Sequence, residues 1–551
     1  MLNIFKSRPK IWLTILFLVL SIPLILPYLH IGYFPTDDGE WAVVRLTDMY
    51  RELKDLQFPA RYSANLNFGY GYPLFEFAYP LPYYIGFVLH LFKLNFVNSI
   101  KLIFALTIPL SLWGMYLLAK EMWGKRLTAI LTSIIYVFYP YRIVDLFVRG
   151  SIGESMAFAL FPFIIYFLLK VHKFKSVSYV ILASVFIAGL VMSHNIMALE
   201  FLPVILVFML SSVWATVKNR LDLSIRYVFT LILGFGLSAF FWIPALSEKN
   251  LIALSVTPIA DRGINYAHWW ELLIPTWGYG IPPAPDQFTF QLGLPQIAVL
   301  LCLLLSLFIF KKQIAKNLLN DIFLTVIAFL FIFYLLLLFP FTNFIWLHTP
   351  LLREINYPWT LLGVMGFMIA ILSSKLFVLD RFNYGFVTLA ILTVIYIIPY
   401  AHPQTYVNRG DAFYLTNDAT TTSSSEYMPL WVKQKPFQRP DIKFVALNSK
   451  AVLANQFYNS KKFSLKTSST RPFLLQINII YYPGWIAKVD GKATQIFYNN
   501  VHGVMRINVP SGHHVITGRL TETPLRLVSD LISLISIFYI LVYLFRRVFS
   551  R

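Results

Sequence analysis

Runs of about 17 to 22 apolar residues recur along the chain of 551 residues. Each is long enough to cross a hydrocarbon core of roughly 30 Å as a helix. No other feature narrows the fold as far. In lipid every backbone polar group must find its partner inside the protein, which leaves only helices and closed barrels. These runs are continuous rather than alternating, so they read as helices. Twelve spans are expected, at 11–29, 99–119, 127–140, 155–170, 177–193, 195–215, 226–246, 291–310, 319–339, 357–374, 384–401 and 525–545. The first cannot be only a cleaved signal peptide, because many spans follow and no A-x-A-like site ends it. Charged residues are 13% of the chain, against roughly 25% in soluble domains. The expected fold is a polytopic α-helical membrane protein of about 12 transmembrane helices, with an antiparallel β domain near the C-terminus.

The net charge of +20 could suggest nucleic acid, but the placement of the charges argues otherwise. The connections "KEMWGKR", "KVHKFK", "VKNRLDLSIR", "KKQIAKN" and "KLFVLDRF" fall on one side, with the termini "FKSRPK" and "RRVFSR". Together they hold 20 of the 46 Lys and Arg. The positive-inside rule makes that side the cytoplasm and both termini cytoplasmic. "PLPYYIGFVLHLF" is apolar but too short to span, and is expected at the outer face. The lone Cys302 lies within an apparent span, so no intrachain disulfide can form.

Three parts follow. Residues 1–401 form a transmembrane unit with outer loops at 30–98 and 247–290. Residues 402–524 form an extracytoplasmic β-sandwich-like domain, and 525–551 a final span with a basic tail. "FLLQINIIYY", "GWIAKVDGK", "TQIFYNN" and "GVMRINVPSGHHVITGRL" read as strands, with Asp490-Gly491 and Ser511-Gly512 as turns.

Three acids, Asp37, Asp38 and Glu40, stand in "FPTDDGEW" just past the first span. Thr36, Asp37 or Asp38 suits the cap of the following helix, "AVVRLTDMYRELKDLQF". Val44, Met49, Leu53 and Leu56 give that helix an apolar face, and Arg45, Asp48, Glu52 and Asp55 a polar one. The pattern suits a helix lying on a membrane surface. A carboxylate at such a place can also act as a general base, or two oxygens can hold Mg²⁺ or Mn²⁺. Neighbouring Asp37 and Asp38 project about 100° apart on a helix, so one turns into a site and the other mostly out. Asp38 is slightly favoured, with Asp38 and Glu40 the candidate metal ligands.

The next outer loop, "YPYRIVDLFVRGSIGES", supplies Arg142, Arg149 and Glu154. Arginine suits bidentate phosphate binding, although boundary charges also simply snorkel into water. "RYSANLNFGYGYPLFEFAYPLPYY" is too rich in Tyr, Phe, Gly and Pro for a regular helix. Tyr70 and Tyr72 could line a sugar or prenyl site or belong to an aromatic belt, and Arg61 and Glu76 are the charges of that stretch. His194 in "SHN" suits a helix end or a ligand contact. No Gly-rich phosphate loop appears, so a nucleotide-driven motor is not expected.

"TDDGEWAVVRLTDMYRELKDLQFPARYSANLNFGYGYPLFEFAYPLPYYIGFVLHLF", with "YRIVDLFVRGSIGESMAFALFPF" and "SHN", resembles bacterial multi-span proteins of the 6-pyruvoyl-tetrahydropterin-synthase-related family. Nothing in the residues suggests pterin chemistry. That family is in turn similar to C-type glycosyltransferases. The resemblance implies sugar transfer from a polyprenyl-phosphate donor, using an acid in the first outer loop. The family pattern has a His beside that acid, where Asp37 stands here, and a second His a few residues on that is missing. It also has an Arg after "PW", where this chain has Thr360.

The reading that follows is an inverting glycosyltransferase of the cell membrane. Its partners are a polyprenyl-phosphate sugar, membrane lipid and an extracytoplasmic glycan, lipid or protein acceptor, with no nucleic acid. Asp38, Asp37 and Glu154 are the candidate catalytic residues. Arg149, Arg142, Arg61, Tyr70, Tyr72, Glu76 and His194 are the candidate substrate contacts. Mg²⁺ or Mn²⁺ is a candidate cofactor. The alternatives are a lipid-linked-sugar transporter and a non-catalytic envelope scaffold.

Overall fold

The computed structural model describes residues 9–549 except 258, 260–261, 279–288, 310–316 and 423. It is a polytopic helical membrane protein with antiparallel sheets near the C-terminus. Among the described residues eight helices are long and apolar enough to cross a membrane, or ten if each of two bent pairs is one span. Two shorter apolar helices lie within the remaining expected spans. Val177–Ser193 has 17 residues, and the described part of the helix at 291–310 covers Leu294–Ile309. The expected span at 127–140 instead bends by 52° into Pro140–Arg149. "PLPYYIGFVLHLF" forms an 11-residue helix, Leu81–Leu91, about 16 Å long and too short to cross.

The chain packs as two compact units. The first holds residues 1–42, 97–238 and 260–410 and contains seven of the eight long helices. Its best-shielded helix, Leu361–Leu376, buries nearly every side chain. Such all-round burial requires a helix apolar on every face, and "LLGVMGFMIAILSSKL" is that.

The second unit holds residues 43–96, 239–259 and 411–551. Eight strands make two sheets: β1 (Phe444–Leu447), β4 (Phe473–Ile480) and β7 (Val504–Val509) in the order β1-β4-β7, and β2 (Val452–Tyr458), β3 (Lys462–Ser469), β8 (Gly512–Leu520), β5 (Trp485–Val489) and β6 (Lys492–Thr494) in the order β2-β3-β8-β5-β6. Every pairing is antiparallel. Alternate residues point inward, so Leu475, Ile477, Met505 and Ile507 of one sheet share a core with Phe463, Leu465, Trp485 and Ile516 of the other. Asp490 and Gly491, with φ of 48° and 81°, turn β5 into β6, as an Asp-Gly pair favours. "TQIFYNN" departs from the strand expectation: β6 ends at Thr494, and only Phe497 forms a bridge, with Arg506.

Gly518 on β8 lies opposite Phe463 on β3. A Cβ there would sit 2.1 Å from the Phe463 ring, and overpacking of a filled core typically costs about 1–3 kcal/mol. Gly518→Ala is therefore expected to lower stability by that amount. A thermal midpoint equal to wild type in lipid would show that the ring has room to move.

The helix Gly39–Lys54 also departs from its sequence pattern. Its polar face is not solvated, since Asp48 and Glu52 are 0% and 1% exposed. Glu52 accepts from the Ala64 N–H at 2.9 Å and from Gln57 Nε2 at 2.9 Å. Periodicity marks two faces but does not say that the polar one meets water. Burial pushes the Glu52 carboxyl well above the usual range, and nearby Asp48 adds to the shift.

Candidate functional site

The first unit brings a cluster of ionisable groups together where "FPTDDGEW" meets "DLFVRGSIGE". Two backbone bonds lock the two stretches of chain together, Asp37 N–H to the Val148 carbonyl at 3.0 Å and Asp38 N–H to the Arg149 carbonyl at 2.7 Å. Thr36 Oγ1 accepts from the Gly39 N–H at 3.0 Å, making Thr36 the cap of Gly39–Lys54. The contact needs Gly150, whose φ is +64° and whose Cβ would lie 2.1 Å from Thr36 Oγ1. Residues Asp145–Arg149 form a wide π-type turn, a device often found at functional sites.

This framework places Asp37, Asp38, Arg149, Glu154 and His194 around one centre. Arg149 pairs closely with Glu154 Oε1 and faces Asp38 Oδ2 at 3.6 Å. Its guanidinium lies over the Trp359 ring, 4.7 Å from the centroid, a cation–π contact that fixes the plane of the charge. Glu154, fully buried near the start of Ile152–Phe174, also accepts from the Tyr141 hydroxyl at 2.8 Å. His194 Nε2 stands 3.8 Å from Glu154 Oε1. Its Nδ1 accepts from the Met197 N–H at 3.1 Å and caps Asn195–Ala215, so a neutral ring carries its proton on Nε2. Burial lowers the His194 pKa to about 4; Glu154 works against this and Arg149 with it.

Asp37 is a strongly perturbed acid within this cluster. Its Oδ2 is buried without a hydrogen-bond partner. Burial pushes its pKa up to about 7, with Arg149 pulling it down and Asp38 pushing it further up. An acid held near neutrality can carry a proton in either direction. Asp38 is more open, its side chain 35% exposed, and it faces Arg149.

The wider shell contains groups that the sequence reading did not select as site residues. Glu200 accepts from Thr360 Oγ1 at 2.5 Å through Oε1, while its Oε2 is buried without a hydrogen-bond partner. Thr360 thus holds a buried carboxyl. An acid inside an otherwise uncharged span was the signal available for Glu200. Trp359 and Tyr141 gave none, since an aromatic at a membrane boundary is ordinary.

The remaining expected site residues lie elsewhere. Arg142 is wholly buried and pairs with Asp145 at 3.4 Å, Thr107 Oγ1 at 2.6 Å and the Ser155 carbonyl at 3.2 Å. That is an internal brace. Arg61, Tyr70, Tyr72 and Glu76 belong to the second unit. Arg61 meets Asp530 at 2.8 Å, Glu522 at 3.4 Å and Glu76 at 3.5 Å. Tyr72 turns its hydroxyl to Thr421 at 3.3 Å, and the Tyr70 ring packs against His502 at 6.1 Å. Glu40 pairs with Arg409 at 2.9 Å. Asp38 and Glu40 therefore face different guanidinium groups. Among the described residues no group of three or more His, Cys, Asp or Glu side chains is set to hold a metal ion. With Asp38 and Glu40 each facing a guanidinium, this donor set does not fit Mg²⁺ or Mn²⁺.

Residues 75–257, about a third of the chain, match the family described as "6-pyruvoyl-tetrahydropterin synthase related domain; membrane protein". This is the family that the sequence resembles. An uncharacterized protein of Lactococcus lactis subsp. cremoris is 23% identical over 328 residues, which are 57% of this chain and 52% of that protein. The chain thus spans about half the length of the curated relative it matches. Among solved structures, the mycobacterial arabinofuranosyltransferase AftD is similar at 14% identity and a TM-score of 0.48, over 72% of this chain and 27% of that one. The archaeal oligosaccharyltransferase AglB from Archaeoglobus fulgidus, solved with an inhibitory peptide and a dolichol-phosphate, is similar at 14% identity and a TM-score of 0.48. It covers 79% of this chain and 62% of that one.

Proposed function

We infer that this chain is a membrane glycosyltransferase that moves a sugar from a polyprenyl-phosphate donor to an acceptor outside the cytoplasm, with both termini inside. The observation that carries the reading is Asp37: a carboxyl poised near pH 7, one oxygen unpartnered, locked by its backbone beside a stacked arginine.

In the reaction, an acceptor hydroxyl attacks the anomeric carbon. The new C–O bond forms as the bond from that carbon to the phosphate oxygen breaks, and the electron pair leaves with the phosphate. Asp37 takes the hydroxyl proton. Arg149 faces the departing phosphate, where a preorganised charge acts on what develops in the transition state. Its 3.6 Å separation from Asp38 is longer than a hydrogen bond, so an incoming phosphate oxygen can take that edge. Glu154, Tyr141 and Trp359 hold the guanidinium in place. A single displacement inverts the anomeric centre, whereas retention needs a second carboxylate as nucleophile.

A base must be ionised to act. Donor consumption, expressed as kcat/KM for purified protein in lipid, is therefore expected to rise with pH through about 7 and then level. A profile flat across the neutral range would remove Asp37 from that role.

A further inference from the structure

The second unit carries a feature that the acid cluster does not use. A groove of about 590 Å³ opens on the outer face of the five-stranded sheet. The strand registers set its side chains in two rows. One row runs Lys462, Arg519, Ile486 across β3, β8 and β5. The next runs Phe457, Ser464, Thr517, Lys488 across β2, β3, β8 and β5. Adjacent strands lie about 4.8 Å apart, so four of them span roughly 14 Å, with the rows about 7 Å apart along the strands.

The chemistry of this face is one-sided. Lys462 stands directly opposite Arg519, and like charges in that relation destabilise a sheet. Lys488 adds a third cation in the neighbouring row. All three side chains are exposed, and among the described residues no acidic side chain lines the groove. Phe457 and Ile486 are 45% and 37% exposed, and Lys462 Nζ lies 5.6 Å from the Phe457 ring centroid. Ser464 and Thr517 put a pair of hydroxyl-bearing residues between the ring and Lys488.

We propose that this groove binds a strand of anionic glycan, a polymer with phosphate or carboxylate groups along its sugar or polyol units. The negative groups relieve the Lys462–Arg519 repulsion, Phe457 offers a face to a sugar ring, and the hydroxyl pair bonds to ring substituents. The concave shape fits a strand better than the plane of a bilayer. If the transferase reading holds, such a strand is the acceptor class; the binding itself does not rest on that reading.

The test uses the full chain in nanodiscs of neutral lipid, titrated with polygalacturonate, poly(glycerol phosphate) and uncharged dextran. It compares wild type with Lys462→Gln/Arg519→Gln, Phe457→Ala and a charge-matched control outside the groove, Lys433→Gln/Lys450→Gln. All are exposed positions, and thermal midpoints verify folding. One or both anionic polymers are expected to bind wild type at least about 10-fold more tightly than dextran does. The groove double variant loses about 10-fold or more, Phe457→Ala severalfold, and the control keeps wild-type affinity. Equal binding of dextran, no binding of either anionic polymer, or an equal loss in the control would overturn the proposal. So would a double variant that binds both polymers as wild type does but loses phosphatidylglycerol vesicles, which would mark a membrane-contact patch. Donor turnover is not read here, so this proposal and the transferase reading fail separately.

Discussion

Asp37→Asn is expected to reduce donor turnover by about 10²–10⁴-fold, the range for loss of a positioned general base, while leaving the protein at least as stable as wild type. The second half follows from linkage. The folded-state pKa of Asp37 is raised to about 7, chiefly by burial, against about 3.9 in an unfolded chain. The folded protein therefore holds this proton more tightly than the unfolded chain does. That contribution to stability is fully present below about pH 4 and is lost as pH rises through 7. An amide cannot ionise and escapes the loss. Above neutral pH the amide variant should melt at or above the wild-type temperature, with donor binding retained. A variant that loses activity and unfolds together would mark Asp37 as structural. Asp38→Asn is the comparison: its side chain is more exposed and its partner is Arg149, so its loss disturbs the guanidinium and should weaken turnover less.

Arg526→Met should have the largest effect on stability, about 3–5 kcal/mol, the usual result of removing one member of a buried ion pair. Arg526 is 1% exposed. It holds Glu248 with two bonds, at 2.9 and 2.6 Å, donates to the Pro483 carbonyl at 3.0 Å and meets Glu76 at 3.2 Å. Glu76, itself fully buried, lies between Arg526 and Arg61. Burial raises its pKa to about 7, with Arg526 and Arg61 acting against the shift and Glu248 and Glu522 adding to it. Without Arg526, Glu248 and Glu76 would lie buried with too little positive charge. The damage should be smaller below about pH 6, where Glu76 is protonated, and partly undone by adding Glu248→Met. Thermal midpoints of the single and double variants in lipid decide this. A single variant as stable as wild type would mean that water reaches the cluster.

Much of this fold was legible in residues. Length and apolarity announced a helical membrane protein, and "FLLQINIIYY" and "GVMRINVPSGHHVITGRL" alternate as their strands do. The sequence does not mark β1, β2 and β3, because "KFSLKTSS" and "VLANQFY" mix polar and apolar residues without a clean alternation. The bend at Pro140 was not legible, since hydropathy does not report direction. In the site, Asp37, Asp38, Arg149, Glu154 and His194 were picked from separate loops, and the structure brings them together. The roles of Arg142, Arg61 and Glu76 were not legible. A charge near a membrane boundary looks the same in sequence whether it faces a substrate or a buried partner such as Asp145 or Arg526. Glu200 and Thr360 are 160 residues apart, a pairing that no local pattern could reveal.

The most direct measurement follows a radiolabelled sugar on polyprenyl phosphate through a single turnover by the purified protein in lipid, with wild type and Asp37→Asn side by side. Label that leaves the lipid in wild type, while the Asp37→Asn variant binds the donor and keeps it intact, is the predicted result. Donor bound equally by both proteins with no label released from either, across a panel of hexoses and pentoses, would contradict the transferase account and bring transport of the intact lipid to the front.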